Sequence, residues 1–191
     1  MAQSTAEPSP LAPHASTSLV LAFVNTRENG SQPELLNDAR ALARWLRSAE
    51  LADEDIVVTD ADAAAARELR EALAVLLREH AGFEDTNREV EVAERHLHRS
   101  AELHPLVPLI SRDGCEWVSR QVGVAGAIGT ILAAVADTTA RGVWARVKMC
   151  SNRTCQVSFF DKTRNSAGRY CNSTCGTQVA MRAYRRRKKN S

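Results

Sequence analysis

After Ala140 the chain almost runs out of acid. From Arg141 to Ser191 there are 13 Lys and Arg against one carboxylate, Asp161, a local net charge of +12. The whole chain carries only +2, so residues 1–140 carry −10. The modest overall charge conceals two oppositely charged halves. Other things are missing as well. No apolar run reaches the roughly twenty residues that a membrane span needs; Val122 to Ala136, which carries no charge, falls short. There is no internal repeat. No phosphate-cradling glycine loop, no nucleophile paired with a base and no open metal site can be found, which argues against an enzyme. Met1 to Ser16 lacks the basic start of a signal peptide; Pro8, Pro10 and Pro13 interrupt any helix there, so residues 1–16 read as a disordered leader.

Cysteine is present in one arrangement. Cys150, Cys155, Cys171 and Cys175 follow the spacing C-x4-C-x15-C-x3-C. Two close pairs joined by about fifteen residues suit a structural zinc ion: each pair makes a turn that offers two thiolates, and four sulfurs close a tetrahedron. Such a site leaves no position for substrate or activated water. Two disulfides in a secreted domain are the alternative, but nothing else in the chain looks secreted. The fifth cysteine, Cys115, has no nearby partner and reads as a small buried side chain.

Between the pairs, Gln156 to Asp161 has the aromatic and β-branched content of a short strand, and Lys162 to Gly168 is turn material. Ser173 or Thr174 is placed to cap a helix from about Cys175 to Lys189. Knuckle, hairpin and a helix carrying the last ligands make a treble-clef-like layout. On that helix Arg182, Arg185, Arg186 and Lys189 fall at i, i+3, i+4 and i+7, one positive stripe, and Arg187 and Lys188 extend the basic tail. Val179, Ala180, Ala183 and Tyr184 supply its apolar side. A basic stripe held rigid by zinc points to a polyanion partner.

These residues resemble a known family. Cys150-Ser-Asn-Arg-Thr-Cys155, Phe159-Phe160-Asp161, Arg164-Asn165, Arg169-Tyr170-Cys171 and Cys175-Gly176 with the basic tail are similar to the CGNR zinc finger. The chain before them resembles the ABATE domain that accompanies that finger. The resemblance implies a stress-induced, DNA-binding transcription regulator. The name-giving tetrad starts at the last cysteine and here reads Cys175-Gly176-Thr177-Gln178, so Thr177 and Gln178 replace asparagine and arginine. The similar string Cys150-Ser151-Asn152-Arg153 lies on the first knuckle and is not its equivalent.

Towards the N-terminus, Leu19 to Val24 reads as a buried strand or first helical turn. The Phe23-Val24-Asn25-Thr26 stretch resembles the family's N-terminal signature. Asn25 is a candidate ligand residue, or else satisfies nearby backbone. Helical spacing relates Leu35, Ala39, Leu42 and Leu46. Thr59 and Asp62 fit a capping box before a long alanine-rich helix ending near Ala81-Gly82. A further helix fits Asp85 to Ser100. Asp113-Gly114 signals a hairpin between Leu103–Ile110 and Cys115–Ser119. Val122 to Ala136, with Gly123, Gly126 and Gly129, suits a closely packed central helix. His96 and His98, two apart, point to different sides of their helix and make a poor ligand pair.

The expected protein is mainly α: an ABATE-like helical domain over 17–140 with a small β-hairpin, then a zinc finger over 141–191 holding one structural ion. The expected function is a cytoplasmic, zinc-dependent DNA-binding regulator, with no membrane contact and no catalysis. Arg182, Arg185, Arg186 and Lys189 would meet phosphates, aided by Arg169, Arg187 and Lys188, and Arg153, Arg164 and Asn165 would reach bases. A zinc-stapled module that docks RNA or an acidic protein is the alternative.

Overall fold

The computed structural model of the chain describes residues 13–30, 32–83 and 87–189. Among them are six α-helices and two antiparallel two-stranded hairpins. The mainly α expectation holds. The leader expected over 1–16 lies outside the described residues as far as residue 12, and from Ala15 the chain is already helical.

Helix α1, Ala15–Val24, buries Val20, Phe23 and Val24, and its Thr17 hydroxyl meets that of Thr138 at 3.2 Å. It is a full helix rather than a strand, closed by Thr26 Oγ1 donating to the carbonyl of Phe23 at 2.7 Å. Helix α2, Ala39–Ser48, is capped by Asp38, whose carboxylate accepts from Ala41 N at 2.8 Å, and it buries Leu42 and Leu46. Leu35 precedes this helix and stays 39 % exposed, so it does not share the stripe expected for it. Helix α3, Asp60–His80, starts at the expected box: Thr59 Oγ1 accepts from Asp62 N at 3.1 Å while Asp62 accepts from Thr59 N at 2.8 Å. Ala63, Ala66, Leu69, Leu73 and Leu77 give α3 one buried face along its 21 residues.

The long link between α1 and α2 is fastened to α3 by arginine. Arg70 is 2 % exposed and grips Glu34 with two bonds of 2.6 and 2.8 Å. Paired with that guanidinium, the Glu34 carboxyl sits below its ordinary pKa even though burial opposes the shift. Arg67 donates to the carbonyls of Leu36 and Asn37.

Helix α4, Asn87–Leu103, lies on α3 through Ala93 and leads into β1, Leu106–Ser111, and β2, Gly114–Ser119. Cys115 is exposed, a correction to the buried position expected from sequence. It pairs with Ile110 near the hairpin turn, and only the far end of β2 is half-buried. Helix α5, Gly123–Ala140, runs longer than Val122 to Ala136 and is the core helix. Its 18 residues are apolar enough to cross a membrane by length and composition, but it packs here on α1 and β2. The approach needs glycine: a Cβ on Gly129 would lie 2.5 Å from Ser119 Oγ.

The second hairpin, β3 at Val147–Met149 and β4 at Ser158–Phe160, belongs to the finger, yet it completes the helical core. Val147 and Met149 are 0 % and 1 % exposed and cluster with Phe23, Leu73, Leu77 and Ile131. The His80 ring at the end of α3 bonds the carbonyl of Val147 at 2.9 Å and stands edge-on to Trp144. Helix α6, Ser173–Lys189, buries only Cys175 and projects away.

Candidate metal centre and basic face

Both cysteine pairs are built from backbone turns. Cys150 follows β3 and its N–H donates to the carbonyl of Val157 at 2.9 Å, while Cys155 N donates to the carbonyl of Asn152 at 2.8 Å. Ser151 N donates to the carbonyl of Arg169 at 2.8 Å, which draws the second pair against the first. Cys175 lies in the first turn of α6. That helix begins at Ser173 and is capped by Asn172, whose side chain accepts from Cys175 N at 2.9 Å; the cap thus lies one or two residues before the Ser173 or Thr174 expected from sequence.

The four Sγ atoms all lie within 4.8 Å of one another, with Cys155–Cys171 at 3.6 Å and Cys171–Cys175 at 3.7 Å. Zn–S bonds of about 2.3 Å set tetrahedrally require sulfurs about 3.8 Å apart, so the set fits one zinc ion. The protons tell the same story. Burial, reinforced by the neighbouring sulfurs, pushes the Cys171 thiol up, and burial raises Cys155 too. A hydrogen bond from Asn152 holds Cys175 below the ordinary thiol range. Four thiols packed this way cannot all ionise alone; a divalent cation supplies the missing charge, so binding must release protons.

Asn152 is the hub of the finger and escaped the sequence reading. It is 1 % exposed; its amide donates to Gln178 Oε1 at 3.1 Å, and its oxygen accepts from Thr154 and from Arg182. Gln178, the residue in place of the tetrad's arginine, is therefore an internal brace between knuckle and helix. Arg182 is drawn into the same brace.

The lone acid of the basic half has a comparable duty. Asp161 is 1 % exposed and accepts from Lys148 Nζ at 2.8 Å, Thr163 Oγ1 at 2.7 Å and Gly168 N at 2.7 Å. These partners overcome the burial that opposes them and hold its pKa down at about 2. Lys148 is itself buried at 6 % exposure. Arg146 donates to the carbonyls of Asp161 at 3.0 Å and Thr163 at 2.7 Å, so the 162–168 turn is tied on both sides. A Cβ at Gly168 would fall 2.5 Å from Asp161 Oδ1, leaving room for glycine alone.

Sequence comparison agrees with this geometry. Residues 17–142 match the family described as "Putative stress-induced transcription regulator", ABATE, and residues 146–188 match the CGNR zinc finger. The chain belongs to the ABATE family. Comparison with curated proteins gives no match. The ABATE and CGNR matches part between residues 142 and 146, the point where Trp144 and β3 carry the chain back into the helical core.

The ABATE signature explains that return. Asn25, a candidate ligand residue in the sequence, donates from Nδ2 to the carbonyl of Ser158 at 2.9 Å and accepts from Ser158 N at 2.8 Å. Both ends of its amide serve β4 as a neighbouring strand would. A few residues on, Gly30 N donates to the carbonyl of Cys155 at 3.2 Å. The signature is thus in contact with the CGNR hairpin and knuckle.

The residues expected to meet nucleic acid fall into three places. Arg182 and Arg185 line a groove of about 600 Å³ with Thr154, Thr177 and Gln178, and Arg186, Arg187, Lys188 and Lys189 continue along the exposed end of α6. Arg164 and Asn165 are exposed on the 162–168 turn. Arg153 and Arg169 line a different cavity, beside α3 and α4.

Proposed function

We propose that this zinc-binding ABATE protein is a cytoplasmic transcription regulator whose finger binds DNA and which acts by binding rather than by catalysis. The observation that carries the reading is α6. Its first turn holds a zinc ligand, and its remaining turns leave Arg185, Arg186, Lys188 and Lys189 exposed, with no carboxylate anywhere on the helix. Rigid positive charge on a projecting helix suits the phosphate backbone. Sequence preference would come from Arg164 and Asn165, held out on a turn that Arg146 and Asp161 make rigid.

The geometry adjusts the expected strength. Arg182 is committed to Asn152, so the stripe offers three charges, Arg185, Arg186 and Lys189. At about −0.9 per phosphate on duplex DNA, log affinity should fall against log salt with a slope of about −2.7. The test measures this slope for the zinc-loaded chain on a selected duplex and on random duplex. Arg186→Ala should shallow the slope on both, and Arg164→Ala should erase the difference between them. A slope near zero on duplex, with a steep one on RNA or retention of an acidic protein instead, would overturn the DNA reading.

A further inference from the structure

A second group of arginines lies where α6 takes no part. A cleft of about 660 Å³ opens between the end of α3, the start of α4 and the first zinc knuckle. Arg78 comes from the last turn of α3, Arg153 from the knuckle, and Arg169 from the approach to the second cysteine pair. Arg153 and Arg169 are exposed, and neither guanidinium has a hydrogen-bond or ion-pair partner among the described residues. Two segments far apart in sequence thus bring Arg153 and Arg169, without partners among the described residues, to one hollow that Arg78 also lines.

We propose that this cleft binds a small organic phosphate. Among its described lining residues Arg78 and Glu89 each already have a partner, which leaves the two guanidiniums of Arg153 and Arg169 for a ligand. A phosphate monoester carries about −1.5 to −2 at neutral pH and offers three acceptor oxygens, a match in charge and in the forked donors of arginine. Ser151 and Gln156 also line the cleft. Phe83 and Met149 add an apolar wall for the organic part of the ligand. The volume falls in the roughly 300–1,000 Å³ range of small-molecule sites, whereas a duplex backbone needs an open track.

The cleft shares no lining residue with the α6 groove. The two meet at the knuckle, where Arg153 lines one and its neighbour Thr154 lines the other and bonds the Asn152 brace. A ligand gripping Arg153 therefore pulls on the segment that positions α6. Binding stands apart from the DNA reading; only this regulatory link rests on it.

The experiment is calorimetry on the full, zinc-loaded chain at about 0.15 M salt, where surface charges further apart than about 8 Å are screened. The probes are inorganic phosphate, adenosine 5′-monophosphate and adenosine. The monophosphate should bind one per chain, phosphate should compete with it, and adenosine should not bind. Arg153→Ala and Arg169→Gln should each weaken the monophosphate tenfold or more, the worth of one charge-assisted contact. Neither side chain makes a hydrogen bond or ion pair among the described residues, so zinc content and thermal unfolding should stay unchanged. Arg185→Ala should leave monophosphate binding intact. The proposal is overturned if neither phosphate probe binds, if both variants bind as well as the parent, or if duplex DNA displaces the monophosphate one for one, which would give the cleft to nucleic-acid backbone.

Discussion

Replacing Asn25 with alanine removes two hydrogen bonds that join the ABATE signature to the finger, the 2.9 Å and 2.8 Å bonds to Ser158. Ser158 is 3 % exposed, so its N–H and C=O would be left nearly dry. Each buried backbone group without a partner costs about 1–3 kcal/mol. Asn25 is half-buried and water can enter part of the space it vacates, so the lower half of that range applies, about 2–4 kcal/mol in all. Against a total stability of about 5–15 kcal/mol this is a large fraction. For a chain of this size it corresponds to a fall of about 5–15 °C in Tm. The assay is thermal and denaturant unfolding of the zinc-loaded protein, followed by competition with a chelator. Asn25→Ala should unfold earlier and release zinc sooner, because β4 lies between the two cysteine pairs. Asn25→Asp keeps the acceptor but sets a carboxylate against the Ser158 carbonyl, so it should be at least as damaging. A Tm change below about 1 °C for Asn25→Ala would refute the brace and return Asn25 to a ligand role.

Lys148→Met should cost about 3–5 kcal/mol, because it leaves the Asp161 carboxylate buried beside no cation. In the parent chain the folded pKa of Asp161 lies at about 2, below the 3.8 of a free aspartate side chain, so its stabilisation is complete above that ordinary value and is lost as pH falls towards 2; acid unfolding should steepen there, and Asp161→Asn should flatten it. Gly168→Ala should destabilise the finger by about 1–3 kcal/mol, read as a lower denaturation midpoint, since its Cβ would meet Asp161. Gln178→Ala should loosen α6 and lower zinc affinity without altering the salt slope, because its oxygen serves Asn152 rather than a phosphate.

The metal site was legible because thiol spacing encodes it directly: two turns and four sulfurs need no knowledge of the rest. The box at Thr59 and Asp62 was legible for a related reason, since both partners lie three residues apart. What the sequence hid are partnerships across long separations. Nothing near Asn25 announces Ser158, 133 residues later, nor does His80 announce Val147. A weak signal existed for Lys148 and Asp161: the single acid in a segment of +12 needs a reason to persist, and its reason is a buried cation. Cys115 misled because small apolar side chains are usually inside, while a hairpin that meets its helix at one end leaves the turn end outside. The basic helix was placed correctly along the chain, but the spacing that made Arg182 part of a stripe gave no hint that Asn152 would take it.

Zinc, the finger and the helical core are expected to behave as one folding unit that delivers α6 to nucleic acid. A zinc titration of the metal-stripped full chain tests it, following labelled duplex DNA by anisotropy and protected amides of α3 and β3 by hydrogen exchange. The predicted result is a single coincident transition ending at one zinc per chain: DNA binding appears as Val147, Met149 and the end of α3 near His80 become protected. Protection of α3 and β3 that does not change with zinc, or DNA binding that is already complete in metal-free protein, would contradict it.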